Sequence, residues 1–137
     1  MFKRLMLLFL AVTISLAFLS LNSRPVFSDY SNKIELYFNS SSSMAQIVNI
    51  DSFNKQFFFS VRGESFKVDK QAFDLENFLK EFSALMVFVE EIEEGVSYYA
   101  YSPKIKYRAK ILGKTVNLHI FLGKQITVGS PLIFGSF

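Results

Sequence analysis

The apolar residues between Phe73 and Gly95 recur at intervals of three and four positions. That spacing places side chains on one face of an α-helix. Asp74 is suited to cap the first turn, and Phe73 and Phe78 have the spacing of a hydrophobic staple. Gly95 is suited to end the helix. The unbroken apolar run Leu85–Val89 would also suit a buried strand, but ordinary strands seldom exceed about 10 residues. We therefore predict one long helix, with two alternatives for its end: a frayed last turn before Gly95, or an end near Val89.

Alternating apolar and polar residues predict strands on both sides of this helix. Before the helix, strands are expected at Lys33–Asn39, Ala45–Ile50, Gln56–Val61 and Ser65–Val68. A tight turn at Arg62–Glu64 would join the last two. After the helix, strands are expected at Val96–Tyr101, Ile105–Ile111, Val116–Leu122 and Gln125–Val128. The predicted fold class is α+β, with an antiparallel β-sheet packed against one long α-helix after an N-terminal signal or anchor segment.

The N-terminal stretch Met1–Leu21 has the pattern of a secretory leader. Lys3 and Arg4 precede an uncharged run from Leu5 to Ser23, close to the ~20 residues that span a bilayer. Both a cleaved signal peptide and an uncleaved signal anchor fit this pattern. In either case we expect the two basic residues to stay inside and the rest of the chain to be exported.

A processing site is suggested by Val26–Ser28, where small or short residues occupy both positions that signal peptidase reads. Cleavage after Ser28 is therefore one expectation. Arg24-Pro25 interrupts the usual approach to such a site, which favours an uncleaved anchor. The predicted organisation is a signal or anchor with a short tether at residues 1–28 and a single α+β domain at residues 29–137.

Charge and cysteine content narrow the class of protein. Three of the 15 basic residues precede Asp29, so the remaining 12 balance the 12 acidic residues. A neutral exported domain gives no reason to expect nucleic acid as a partner. The chain has no cysteine, which excludes disulfides and thiolate sites and fits a bacterial envelope protein. The expected location is the outer face of the cytoplasmic membrane, the extracellular space or the cell wall.

A basic stripe on the predicted strand Ile105–Ile111 is the best candidate for a binding site. Its cations alternate with apolar residues over about 20 Å, at ~3.3 Å per residue; they are Lys104, Lys106, Arg108 and Lys110. We expect salt-sensitive contacts with an anionic envelope polymer, such as a teichoic-acid-like phosphate chain, or with lipid headgroups. The alternative is that these lysines protect an exposed strand from edge-to-edge pairing.

His119 is the only histidine, so a Ser-His dyad would depend on it alone and a His-based metal cluster is excluded. We predict that it is a half-exposed strand residue, and no catalytic, cofactor or metal site is predicted. The preferred function is a non-catalytic binding or scaffold domain held at the membrane by Met1–Leu21. The alternatives are an exported enzyme with a site around His119 and a module acting by strand addition at Val96–Tyr101 or Gln125–Val128.

Three segments carry a resemblance to a known family: Val96–Pro103, Gly113–Leu118 and Val128–Ile133. Their residues are Val-Ser-Tyr-Tyr-Ala-Tyr-Ser-Pro, Gly-Lys-Thr-Val-Asn-Leu and Val-Gly-Ser-Pro-Leu-Ile. In this order they resemble the YwmB-like family of exported proteins from spore-forming Gram-positive bacteria. The resemblance covers the C-terminal third of this chain, which is shorter than the family's members. It implies a TATA-box-binding-protein-like fold but no known activity or ligand, because that label describes shape alone.

Overall fold

The computed structural model describes residues 1–21, 24–38, 45–49 and 61–134. Side chains are described at residues 1–17, 24–38 and 61–134. The predicted turn Asp51–Lys55 and the predicted strand Gln56–Val61, apart from Val61, lie outside the described residues. The elements are α1 (Phe2–Leu21), β1 (Lys33–Tyr37), β2 (Ala45–Asn49), β3 (Gly63–Val68), α2 (Leu75–Glu81), β4 (Leu85–Ile92), β5 (Gly95–Tyr101), β6 (Ala109–Ile111), β7 (Lys114–Val116), β8 (Leu118–Leu122) and β9 (Ile126–Ser130). A short 3-10 turn precedes α2 at Lys70–Ala72.

Seven strands of the described part of the chain form one antiparallel sheet, in the order β2-β1-β3-β9-β8-β5-β4. The α+β class and its antiparallel sheet are therefore confirmed. β6 and β7 form a separate hairpin. The strands over Val96–Tyr101 and Gln125–Val128, predicted as open edges, each pair with a neighbour on both sides. That prediction is wrong, and the edge next to β5 is formed by β4.

The long helix predicted over Phe73–Gly95 is also wrong, because α2 ends at Glu81 and the chain continues as β4. After the helix, Ser83 adopts a φ of 48°. Its N–H donates to the Lys80 carbonyl at 3.0 Å, and the Ala84 N–H donates to the Leu79 carbonyl at 2.8 Å. These two bonds form a Schellman motif. Glycine usually occupies the left-handed position of this motif. Because Ser83 occupies it here, the sequence gives no clear signal that the helix ends.

The beginning of α2 matches the prediction. The Asp74 side chain accepts a hydrogen bond from the Asn77 backbone N–H at 3.1 Å. The Phe73 and Phe78 rings lie 5.1 Å apart, so the predicted cap and staple are confirmed. Gly95 does not end a helix but begins β5, where a Cβ would collide with the Leu122 carbonyl oxygen. It is required by this close approach of two strands.

Glutamates explain part of the failure of the helix prediction. Negative charge near a helix C-terminus opposes the macrodipole. As a strand and turn, the same stretch leaves all four carboxylates exposed to solvent; they are Glu90, Glu91, Glu93 and Glu94. The strand therefore avoids the unfavourable interaction between these carboxylates and the C-terminus of a long helix.

Three other strand predictions change in detail. The expected turn at Arg62–Glu64 is wrong, because Gly63 and Glu64 belong to β3. The expected strand Ile105–Ile111 retains only β6, and the preceding four residues are irregular. The expected strand Val116–Leu122 divides at Asn117, whose amide accepts from the Ser102 N–H and donates to the Ser102 carbonyl, both at 2.7 Å. Side-chain bonding to a loop thus interrupts the ladder.

One face of the sheet carries the hydrophobic core. α2 covers this face together with residues 25–31, although residues up to 28 were predicted to belong to the leader and its tether. Phe27 is fully buried, and its ring lies 5.1 Å from that of Phe66 and 6.3 Å from that of Phe78. Burying a phenylalanine side chain contributes roughly 1.5–3 kcal/mol. The segment after the leader is therefore part of the folded body.

The opposite face is covered at one end by the residues that follow β9. The Ile133 backbone N–H donates to His119 Nδ1, and the Phe134 ring lies 5.4 Å from that of Tyr37. Polar side chains beneath this segment are buried and hydrogen-bonded. The sheet is thus closed on both faces at the end where β8 begins.

The predicted leader forms α1, whose large apolar side chains are exposed from Phe2 to Leu16. Its described side chains run from Phe2 to Ala17. Among the residues that the structure describes, no helix combines the length and apolar character needed to cross a membrane.

Candidate functional site

The predicted basic stripe lies on an irregular segment that leads into a hairpin. We call residues 104–114 the basic segment. Its four predicted cations and Lys114 are exposed, whereas Ile105 and Tyr107 are buried. The alternation therefore directs the charges outward, although of the four predicted cations only Lys110 lies in a strand. The extended strand expected here is wrong, because the chain is irregular before Ala109.

Two of these cations contact residues outside the basic segment, and a third contacts a ring within it. Lys104 Nζ donates to the Glu81 carbonyl at 2.6 Å, at the end of α2. Lys106 Nζ lies 5.1 Å from the Tyr107 ring centroid. The Arg108 guanidinium lies 5.5 Å from the ring centroid of Tyr101. Aromatic faces attract cations at such distances, so the basic segment is positioned by its neighbours.

An exposed leucine occupies the tip of the hairpin. Leu112 is 87% exposed and adopts a φ of 50°, followed by Gly113 at 76°. Ile111 and Lys114 pair directly across this two-residue turn, whose two positive φ values are those of type I′. A residue with a Cβ costs about 1–2 kcal/mol in this conformation. The exposed leucine was not predicted, and its only signal in the sequence is an apolar residue directly before glycine.

Glu64 is a fully buried carboxylate that the sequence placed in a surface turn. Its Oε1 accepts from the Phe27 backbone N–H at 2.8 Å, and its Oε2 accepts from the Tyr107 hydroxyl at 3.1 Å. Burial raises the pKa of Glu64, while hydrogen bonds from the Phe27 and Val26 N–H groups oppose that rise. One carboxylate therefore joins the segment after the leader to the basic segment.

Burial also affects the groups around Glu64. Partial burial of the largely exposed Lys106 side chain lowers its pKa, against the attraction of the Glu64 carboxylate. Burial raises the pKa of the Tyr107 hydroxyl, and the negative charge of Glu64 adds to that rise. Tyr107 thus remains a neutral hydrogen-bond donor to Glu64. This is the arrangement that a buried carboxylate requires, since an unpaired buried acceptor is costly.

His119 is buried rather than half-exposed, with 3% of its surface accessible. Its Nδ1 accepts from the Ile133 N–H at 3.2 Å, so the proton resides on Nε2, which lies 3.1 Å from Ser97 Oγ. Burial lowers the pKa of His119 to about 4. An imidazole that donates to a serine cannot take that serine's proton. The pair is therefore arranged for structure, and neither residue is placed as a nucleophile and base.

Aromatic stacking fills the space beside His119. The Tyr99 ring lies 4.3 Å from the rings of both Phe88 and His119, nearly parallel to each. The Tyr99 hydroxyl donates to Glu90 at 3.3 Å. These contacts show that Tyr99 packs between its neighbours. Across the described ranges, no three His, Asp or Glu side chains are grouped so that they could hold a metal ion.

Comparison with known proteins finds no matching family model, no matching curated protein and no matching solved structure.

Proposed function

We propose that this protein is a non-catalytic binding domain, held at the membrane by Met1–Leu21, whose basic segment contacts anionic phospholipid headgroups beside its own anchor. The observation that carries the proposal is the position of Glu64. Its two oxygens bind the backbone of Phe27 and the hydroxyl of Tyr107. The start of the folded body and the basic segment therefore lie at the same end of the sheet.

An uncleaved leader is supported by the packing of the residues that follow it. Cleavage after Ser28 would remove Pro25 and Phe27, which are both buried. It would also remove the Phe27 backbone N–H, which donates a hydrogen bond to Glu64 Oε1. A buried carboxylate that loses a donor is strongly destabilising. The leader is further supported as an anchor by its uncharged run from Leu5 to Ser23 and by its exposed apolar side chains up to Leu16.

The short connection between α1 and the folded body favours contact with the membrane. Three residues separate Leu21 from the buried Pro25, and three extended residues reach about 11 Å at most. An anchor in the bilayer would therefore keep this end of the sheet near the headgroups. A polybasic segment near an anionic membrane gains about 1 kcal/mol per Lys or Arg.

The exposed Leu112 favours a lipid surface over a soluble polymer. The leucine extends from the hairpin between Lys110 and Lys114, which are also exposed. Phosphate groups of a teichoic-acid-like chain would satisfy the lysines but would offer the leucine no apolar phase. At a bilayer, the lysines can contact phosphates while the leucine enters the boundary of the acyl chains, as amphipathic surface segments do. Export to the outer face of the membrane belongs to the same proposal.

The proposal is tested with a chain that begins at Arg24, so that the leader does not itself bind lipid. Vesicles of phosphatidylglycerol and phosphatidylcholine should sediment this chain at low salt and release it as salt rises. The Arg108→Glu and Lys110→Glu double variant should lose this binding. Its matched control is Lys70→Glu with Lys124→Glu, which changes the same charge at the other end of the sheet and should bind normally.

Each remaining outcome of that experiment has a defined meaning. Equal binding by both double variants, with circular dichroism showing that each is folded, would contradict a specific basic segment. Binding of soluble polyphosphate without binding of vesicles would show that the anionic polymer is the ligand instead. Binding that persists in molar salt would contradict a contact made by charge.

Membership of the YwmB-like family remains part of the proposal. It is supported by the positions of the three segments that carry the resemblance. Val96–Pro103 includes most of β5, Gly113–Leu118 leads into β8, and Val128–Ile133 includes the end of β9. These strands are neighbours in the sheet, so the three motifs form one continuous patch of the fold.

A further inference from the structure

β4 is an edge strand of eight residues, and among the described residues it pairs only with β5. Its register with β5 is continuous from Phe88 to Ile92 and shifts between Met86 and Phe88, where there is a β-bulge. The outer side of the strand therefore presents backbone N–H and C=O groups to solvent. Such an edge is a template on which another strand can pair.

The edge of β4 is only partly protected, by the bulge between Met86 and Phe88 and by the charges of Glu90 and Glu91. Proteins commonly place lysine or proline on exposed edges, and neither occurs between Leu85 and Ile92. Instead, four apolar side chains are exposed: Leu85 at 73%, Met86 at 41%, Val89 at 48% and Ile92 at 37%. Burial of these side chains by a partner strand would be favourable at about 25 cal/mol per Å².

Charge divides the edge into two halves. Leu85–Val89 carries no charge, whereas the C-terminal half and the following turn carry four exposed glutamates, Glu90, Glu91, Glu93 and Glu94. A complementary strand must therefore be apolar at one end and basic at the other. Antiparallel pairing, which all other strands of the sheet use, would place the partner's basic residues at its N-terminal end.

We propose that the β4 edge binds an extended segment of a partner protein by strand addition, with Lys or Arg in the N-terminal half of the segment and apolar residues in its C-terminal half. Main-chain hydrogen bonds would supply affinity, and the glutamates would fix the direction of the bound strand. A second copy of this chain fits less well. Antiparallel self-pairing of β4 would reverse the end of the sheet that carries the basic segment, so the two anchors would lie at opposite ends of the joined sheet.

The test uses the full chain in bilayer nanodiscs and the synthetic peptide Lys-Val-Lys-Val-Thr-Val-Thr-Val. Its control is the reversed sequence Val-Thr-Val-Thr-Val-Lys-Val-Lys, which has the same composition and charge. Fluorescence anisotropy should show binding of the first peptide at least about tenfold tighter than that of the second, a difference of about 1.4 kcal/mol. Backbone N-methylation of the first peptide should abolish its binding, because the added methyl groups block the ladder.

Variants of the chain identify the surface. Val89→Lys should prevent binding, because it places a protecting lysine in the middle of the edge. Glu90→Lys with Glu91→Lys should reverse the preference, so that the reversed peptide binds more tightly. Ser83, outside the edge, offers the control Ser83→Asn, which suits a positive φ and should leave binding unchanged. Equal affinity for both peptides would overturn the proposal, as would binding that survives Val89→Lys. Dimerisation of the chain through β4 in the nanodisc, detected by cross-linking at a cysteine placed at Val87, would also overturn it.

Discussion

Glu64 and Phe27 lie 37 positions apart in the sequence, and the carboxylate of the first accepts a 2.8 Å hydrogen bond from the backbone of the second. Through this bond, the strand β3 holds the first residues of the folded body. The other carboxylate oxygen accepts from Tyr107, in the basic segment. Glu64 therefore connects the segment around Phe27, the sheet and the basic segment.

Glu64→Ala should destabilise the domain by about 2–4 kcal/mol, because it leaves the Phe27 N–H and the Tyr107 hydroxyl buried without an acceptor. Glu64→Gln is the matched control. Its amide oxygen can still accept from Phe27 while its NH₂ group donates to the Tyr107 oxygen, so the loss should be much smaller. Urea unfolding measures both variants. Equal stability of the alanine variant and the wild type would show that the hydrogen bonds of Glu64 do not stabilise the domain.

A chain that begins at Asp29 should be less stable than one that begins at Arg24 by about 3–5 kcal/mol, the usual cost of removing a buried phenylalanine. Phe27→Ala in the longer chain should reproduce most of this loss, as measured by thermal unfolding. N-terminal sequencing of the mature protein checks the biological consequence. A mature protein beginning at Asp29 would contradict the retained anchor.

His119 should make stability fall as the solution is acidified. Its folded pKa of about 4 lies below the unfolded value of 6.5, so the unfolded chain binds a proton that the folded chain does not. Its contribution is complete above pH 6.5, declines towards pH 4 and amounts to about 3 kcal/mol. Burial of Glu64 raises its pKa and acts in the opposite sense, since that contribution declines as pH rises.

The difference between the wild type and His119→Gln isolates the histidine, because Glu64 is common to both. We expect the free energy of unfolding of the wild type to vary more steeply between pH 4 and 6.5 than that of the variant. Parallel profiles would mean that His119 is protonated equally in the folded and unfolded states.

Leu112→Asn should separate stability from binding. Asparagine tolerates a positive φ better than leucine, so the variant should be more stable, by about 1 kcal/mol in chemical denaturation. It should bind anionic vesicles more weakly than the wild type, because the apolar side chain at the hairpin tip is lost. A variant that is more stable and binds equally well would remove Leu112 from the proposed surface.

Local sequence patterns predicted much of the sheet because apolar and polar residues alternate along several of its strands. Leu118 and Ile120 face the core and His119 faces the other side, as their alternation requires. The end of α2 could not be predicted, because Ser83 takes a backbone conformation that the sequence signals only through glycine. The apolar run after it satisfies both helical and strand periodicity, and only pairing with β5 decides between them.

The candidate site could be predicted only in part. The alternation of cations with Ile105 and Tyr107 correctly indicated which side chains are exposed. Their relation to the leader could not be predicted, because it depends on Glu64, which contacts residues 37 and 43 positions away. The burial of His119 could not be predicted either. Its cover comes from Ile133, 14 positions later in the chain.

The most direct measurement uses the full chain, which has no natural cysteine, in anionic bilayers. An environment-sensitive dye is attached at Thr115→Cys, near the hairpin tip, or at Gln125→Cys, at the opposite end of the sheet. We predict that the dye at position 115 reports an apolar environment that high salt or Arg108→Glu with Lys110→Glu removes, while the dye at position 125 reports water throughout. A dye at position 115 that reports water in every anionic bilayer would contradict the proposal that the basic segment rests on the membrane.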